Sequence, residues 1–260
     1  MSALNIVQVS IEIWGCIISL IISLFTASEV KKKKSGNMLW KMLLVNVLTL
    51  VSDSLAYVYH GDISTLGMAA TRISNFMLLL LEYILLLLFA HYVQSVLEEH
   101  GFTYGRKWLA VIYALVGIMT CALVVTQFTG FYYYFDKTNH YCRGMGIVLN
   151  FAGTSLLIII AVIQLARMYK KINLRHVKVQ ILIGILPIVA MLIQFIGYGI
   201  SLLNLALTCS IIIGYLQYYF GRIKADADLL VEEARDETRQ VMEKYEQLKK
   251  QTTEAEQCEK

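Results

Sequence analysis

Apolar residues run along this chain in blocks and do not alternate. Blocks near residues 5–27, 38–59, 72–95, 107–128, 146–167, 179–200 and 203–220 approach or exceed the ~20 residues that carry a helix across a bilayer. The pattern therefore predicts seven transmembrane helices. Barrel strands are excluded, because they need only about ten residues and alternate apolar with polar positions. A helix also satisfies its own backbone in lipid. Past residue 221 charge takes over, and weak apolar residues recur at heptad spacing: Val231, Thr238, Tyr245 and Thr252 at position a, Ala234, Val241, Leu248 and Ala255 at position d. Such a seam fits a partner helix, although a solvated single helix laced by i,i+4 pairs remains the alternative. The expected fold class is all-α: a polytopic membrane bundle of seven helices over 1–221, followed by a cytoplasmic coiled-coil helix over 222–260.

One loop departs from the helical pattern. Residues 130–144 place Phe131, Tyr132, Tyr133, Tyr134 and Phe135 before the polar turn Asp136, Lys137, Thr138 and Asn139, and His140, Tyr141, Cys142 and Arg143 after it. Aromatic runs flanking a polar turn predict a small β-hairpin. Two roles are open to it, an aromatic belt at the level of the lipid headgroups or a lid in which Tyr132, Tyr134, Tyr141 and Arg143 cover an outward-facing pocket.

Composition agrees with a membrane protein: 57% of the 260 residues are hydrophobic and one is proline, with a mean hydropathy of +0.60. The net charge of +4 is unevenly spread, with fifteen Lys and Arg against eight Asp and Glu in residues 1–221, and eight against eleven in residues 222–260. Basic residues gather in alternate loops, at 31–34, at Arg106 and Lys107, between Arg167 and Lys178, and at Arg222 and Lys224, whereas the opposite loops hold Lys137 and Arg143. The positive-inside rule then puts the N-terminus outside and the tail in the cytoplasm of a multi-pass protein of the cell (inner or plasma) membrane. The partner implied by the basic excess is the lipid bilayer, not nucleic acid. The first block reads as an uncleaved anchor, since four lysines follow it where a signal peptide needs small residues. Five cysteines without a CxxC or a Cys/His cluster predict neither a disulfide framework nor a metal site.

Polar groups inside apolar helices are costly and usually face protein or water. Asn46, Asp53, Tyr57 and His60 fall on one stripe of the second block, and Arg72, Asn75 and Glu82 on a stripe of the third. Glu12, Asp53 and Arg72 lie at similar outer depths, so an Asp53–Arg72 pair is expected. That pair could be structural, fixing the packing of helices. It could instead belong to a ligand pocket formed by Glu12, Asp53, Tyr57, Arg72, Asn75, Gln194, Tyr198 and Asn204, or to an ion path. Pro187 is the expected hinge of the sixth helix, where a missing N–H permits a kink. No catalytic motif is present, and no cofactor is implied: P-loop, HExxH and GxSxG are all missing, and the seventh block has no lysine for a retinal Schiff base.

Several short pieces carry a resemblance: Asp53-Ser54-Leu55-Ala56-Tyr57 with Gly61, Ser74-Asn75-Phe76 with Tyr83 and Tyr92, Tyr132 to Asp136 ending in Tyr141-Cys142-Arg143-Gly144, and Ile200 to Leu205. Together they resemble the N-terminal seven-span sensory region of membrane signalling proteins in Gram-positive bacteria, which precedes a histidine kinase or diguanylate cyclase core. The resemblance implies a homodimer joined through its cytoplasmic helix, and a sensor, as in two-component systems, that is not itself an enzyme. The sequence ends at Lys260, where such a core would begin, so the expected partner is a separate cytoplasmic signalling protein or a fused catalytic domain. The expected function is a receptor in which an unknown extracytoplasmic small ligand shifts helices and changes the pairing of the tail. The alternative is a transporter or channel subunit using the Asp53, Arg72 and Glu82 stripe.

Overall fold

The computed structural model describes residues 3–102, 107–172, 175–196 and 201–258. Seven helices run in chain order: α1 (Ala3–Val30), α2 (Lys34–Val58), α3 (Thr65–Glu99), α4 (Lys107–Thr129), α5 (Ile147–Ile172), α6 (Arg175–Ile196) and α7 (Leu202–Cys258). Between α4 and α5 lie two short strands, β1 (Tyr133–Phe135) and β2 (Tyr141–Arg143). Six helices, α1 to α5 and α7, are long and apolar enough to cross a membrane, the architecture of a multi-pass membrane protein. The described apolar stretch of α6, Ile183–Ile196, is shorter than a crossing, and the remainder of the expected span at 197–200 lies outside the described residues. Large apolar side chains such as Trp14, Phe25, Ile118 and Phe128 point outward, as a lipid-facing surface requires.

The helices of the first compact unit, residues 1–217, alternate in direction, and the hydrogen bonds at their ends show it. At one end the start of α2 meets the finish of α3. Glu99 accepts from the Ser35 backbone N–H at 3.0 Å and from the Ser35 hydroxyl at 2.8 Å, and Lys34 pairs with Glu98 at 3.3 Å. A carboxylate at a helix N-terminus satisfies otherwise orphaned N–H groups and complements the helix dipole. Lys31 to Lys33 and Lys107 belong to the same end. At the other end the finish of α2 turns through Tyr59–Ser64 into α3, which Ser64 caps by accepting from the Gly67 N–H at 3.0 Å. Residues 66–72 therefore form the first two turns of α3.

The aromatic loop forms an antiparallel hairpin in which Tyr133 pairs with Arg143, Tyr134 with Cys142 and Phe135 with Tyr141. Its turn is closed by Asp136, whose carboxylate accepts from the backbone N–H groups of Thr138 and His140 and from the Thr138 hydroxyl. Tyr133 stacks on Tyr141 at 5.5 Å and is buried. Gly144 leaves no space for a side chain, because a Cβ there would lie 2.3 Å from the Gly130 and Phe131 carbonyl oxygens.

Hydrogen bonds from Asn139 dock the hairpin on the α2–α3 turn. Asn139 sits in the left-handed region at φ 57°, which asparagine tolerates better than most side chains. Its amide donates to the carbonyls of Tyr59 (3.3 Å) and Asp62 (2.8 Å) and to the Thr71 hydroxyl (3.1 Å), while its own carbonyl accepts from the Gly61 N–H. Asn139→Gly keeps the backbone and loses these donors, whereas Asn139→Ala loses both. Expected outcomes in a detergent melt are a loss of about 1–3 kcal/mol for the glycine variant, and a further ~1–2 kcal/mol for alanine.

In the second unit, residues 218–260, the helix is exposed continuously from Ala227 to Gln247. Val231 (60%), Val241 (64%) and Tyr245 (61%) present apolar surface to solvent, as do Leu229, Leu230 and Met242. Ala234 and Thr238 are also exposed, and the Thr238 hydroxyl satisfies itself on the Ala234 carbonyl at 2.8 Å. The side chains of Leu248, Thr252 and Ala255 lie outside those described. Ion pairs of i,i+4 spacing join Arg222 to Asp226 and Arg239 to Glu243.

Candidate functional site

Near the hairpin end, three helices meet around two acids. Glu12 on α1 and Asp53 on α2 are 2% and 3% exposed, and their carboxyl groups neighbour one another. Their lone pairs are met by donors: Gln8 Nε2 and the Ser54 hydroxyl, each 2.8 Å from Glu12, and Asn204 Nδ2 and Ser201 toward Asp53. One helical turn farther along α7, Thr208 exchanges hydrogen bonds with Asn46 of α2 at 3.1 and 3.3 Å.

Asp53 also faces a cavity of about 310 Å³. Its walls come from every helix except α4: Asn5 of α1, Tyr57 of α2, Thr71, Asn75 and Glu82 of α3, Asn150 and Phe151 of α5, Gln194 of α6, and Leu203 of α7 with Ser201 just before it. His60, after α2, and Tyr141 and Arg143 of the hairpin line its outer side. Arg143 donates to the Gln194 and Phe195 carbonyls at 3.0 and 3.1 Å, the C-terminal end of α6 where a cation is favoured. Gln194 in turn accepts from the Leu203 N–H at 2.8 Å and so ties α6 to the first turn of α7. On the far wall, Tyr83 donates to Asn150, which joins α3 to α5.

Of the residues expected from sequence, Asp53, Tyr57, Asn75, Gln194, Tyr141 and Arg143 line the cavity, while Glu12 and Asn204 form the layer behind Asp53. Tyr198 lies outside the described residues. Arg72 requires a correction: it is exposed and forms no ion pair with Asp53. The inward stripe of α3 runs through Thr71, Asn75 and Glu82, and at about 100° per residue Arg72 falls some 80° away from Glu82. Glu12 and Asn204 occupy the place beside Asp53 that Arg72 was expected to fill. Two lid residues are also displaced. Tyr132 is buried under the hairpin, its N–H donating to the Thr126 hydroxyl, and Tyr134 is exposed. Residues not singled out from sequence include Asn5, Gln8, Ser54, Asn150 and Ser201. The one available signal was a polar residue inside an apolar block.

Pro187 lies within α6 without ending it. A proline has no N–H to offer the carbonyl four residues earlier, here Ile183, and that carbonyl instead accepts from the Ser210 hydroxyl of α7 at 3.0 Å. The α6–α7 pair is thus fastened at two heights, by Gln194 with Leu203 and by Ile183 with Ser210.

Outside the helices, His60 and Asp136 titrate away from their ordinary values. Burial, and then the neighbouring His140 ring 4.8 Å away, hold His60 below the usual histidine value, against a smaller opposing pull from Asp136. Hydrogen bonds from the His140 N–H and from Thr138 bring Asp136 down from 3.8 to about 2. A depressed carboxyl stabilises the folded form above its unfolded value and loses that contribution as pH falls through the folded one. The hairpin contribution of Asp136 should thus be complete above 3.8 and fade toward about 2. In melts across that window the wild type should lose more stability than Asp136→Asn. For the buried cluster, Asn204→Leu should cost roughly 1–3 kcal/mol by orphaning a carboxyl oxygen. Asn204→Leu combined with Asp53→Leu should cost less than the two single changes summed, measured as a double-mutant cycle in denaturant. No known protein family matches this chain, and neither does any curated protein.

Proposed function

We propose that the chain is a membrane receptor: a small ligand enters the cavity beneath the hairpin from the extracytoplasmic side, and its presence changes how the cytoplasmic tail pairs. The observation that carries this reading is the composition of the cavity wall, which includes Ser201 and Leu203 at the head of the helix that goes on to become the tail. An occupant touching that turn acts on α7 directly. The two α6–α7 fastenings add α6 to the same moving part, and the lysines at the end opposite the hairpin support an outside N-terminus.

On this reading α6 is the seventh span, and the tail pairs with a second copy through Val231, Ala234, Thr238, Val241 and Tyr245, continuing to Leu248, Thr252 and Ala255. Burying a valine contributes only about 1.5–3 kcal/mol, and alanine and threonine contribute less. Such a seam is weak enough for a ligand to shift. The tail would then control a kinase or cyclase, fused or separate. The transporter alternative retains Asp53 and Glu82 but not Arg72, so its polar stripe is interrupted.

The test places Thr238→Cys in a chain whose native cysteines are changed to serine and follows disulfide crosslinking in native membranes. Crosslinked dimer is expected, it should vanish with Val231→Glu plus Val241→Glu, and its yield should change when Asn75→Trp fills the cavity. No dimer in the membrane, or a yield indifferent to Asn75→Trp, overturns the receptor reading.

A further inference from the structure

The cavity contains one group whose chemistry is incomplete. Glu82 is 7% exposed, lies on the cavity wall, and makes no hydrogen bond or ion pair with any described residue. Other buried acids of the bundle are provided for: Glu12 has Gln8 and Ser54, and Asp53 has Asn204 and Ser201. A carboxyl taken out of water without donors is among the costlier things a protein can bury, and Glu82 has been given space in front of it instead of a partner.

Resting on the reading of this cavity as a ligand site, we propose that its ligand is a small organic ammonium ion, held between the carboxyl groups of Glu82 and Asp53 with its apolar part against Tyr57, Tyr141 and Phe151. An ammonium group brings three donors and no acceptor, which supplies what the Glu82 carboxyl lacks and adds to the donors already on Asp53. Aromatic faces beside a cation add further attraction. A volume of about 310 Å³ is at the small end of ligand pockets and suits a molecule of that kind.

The charges lining the cavity favour a cation over an anion. Asp53 and Glu82 stand on one side, with Glu12 behind, while the lining cation, Arg143, already gives donors to the Gln194 and Phe195 carbonyls. His60, the other basic side chain on the wall, is held toward its neutral form. A bare metal ion fits poorly, because no group of three or more His, Cys, Asp or Glu side chains among the described residues could hold one.

The experiment uses the full chain in lipid nanodiscs and three probes of matched shape: phenethylamine, 2-phenylethanol and phenylacetate. Phenethylamine should raise the melting temperature and bind saturably, and the alcohol and the acid should not. Glu82→Gln, which keeps the shape and removes the charge, should weaken phenethylamine binding at least tenfold. An equal response to the alcohol, a stronger one to phenylacetate, a response to sodium chloride alone, no response to phenethylamine, or undiminished binding by Glu82→Gln would each overturn the proposal. The probe comparison needs only the wild type and so does not depend on the variant folding. Crosslinking at Thr238→Cys, followed in parallel, separates this claim from the receptor reading. Amine binding with unchanged crosslinking leaves the ammonium site standing and removes the receptor, whereas crosslinking that responds to Asn75→Trp without amine binding does the reverse.

Discussion

Polar side chains carried into apolar helices must find their partners inside the bundle, since lipid offers none. The meeting of Glu12, Asp53 and Asn204 is where this constraint acts most strongly. It draws together the first, second and last helices, although Glu12 and Asn204 stand nearly two hundred positions apart in sequence. Thr208 with Asn46 repeats the same solution one turn away. Apolar packing alone would let α7 rotate or slide against α2 with little penalty. Two successive polar contacts on the same face of α7 allow one rotation and one height, and that choice presents Ser201 and Leu203 to the cavity.

The cavity exists because the hairpin is held above the bundle as a roof and not packed into it. Tyr133 and Tyr141 stacked on each other make the hairpin stiff, Asn139 fastens its tip to the α2–α3 turn, and Arg143 fastens its return strand to the end of α6. These attachments reach two separate helix ends, so the space beneath is bounded by elements that are each anchored elsewhere. A polar void within a membrane bundle is sustainable only with walls that do not collapse, and hydrogen-bonded ends provide them where apolar packing would close the gap.

Much of this was legible from residue order. Apolar blocks marked the helices, and aromatic runs around Asp136–Asn139 marked the hairpin. Periodicity also brought Asp53, Tyr57 and Asn75 toward one region. It did not fix how far each helix is turned about its own axis, which is why Arg72, one position past the inward-facing Thr71, was assigned to the wrong face. Asn139 was equally hidden. Its importance comes from a left-handed backbone conformation and from carbonyls of a turn some eighty residues earlier, neither of which leaves a mark in a local pattern. Where a polar residue such as Asn150 or Gln8 stood alone in an apolar run, its presence was visible but its partner was not.

The serine that serves the carbonyl opposite Pro187 has a mechanical consequence. A hydroxyl 3.0 Å from its acceptor tolerates tilting and modest twisting of the two helices about that point. A slide of α7 by two residues, roughly 3 Å along its axis, carries it beyond bonding reach and strands the oxygen in a dry interior. The joint therefore works as a pivot with a catch, giving freely in angle and resisting travel along the membrane normal.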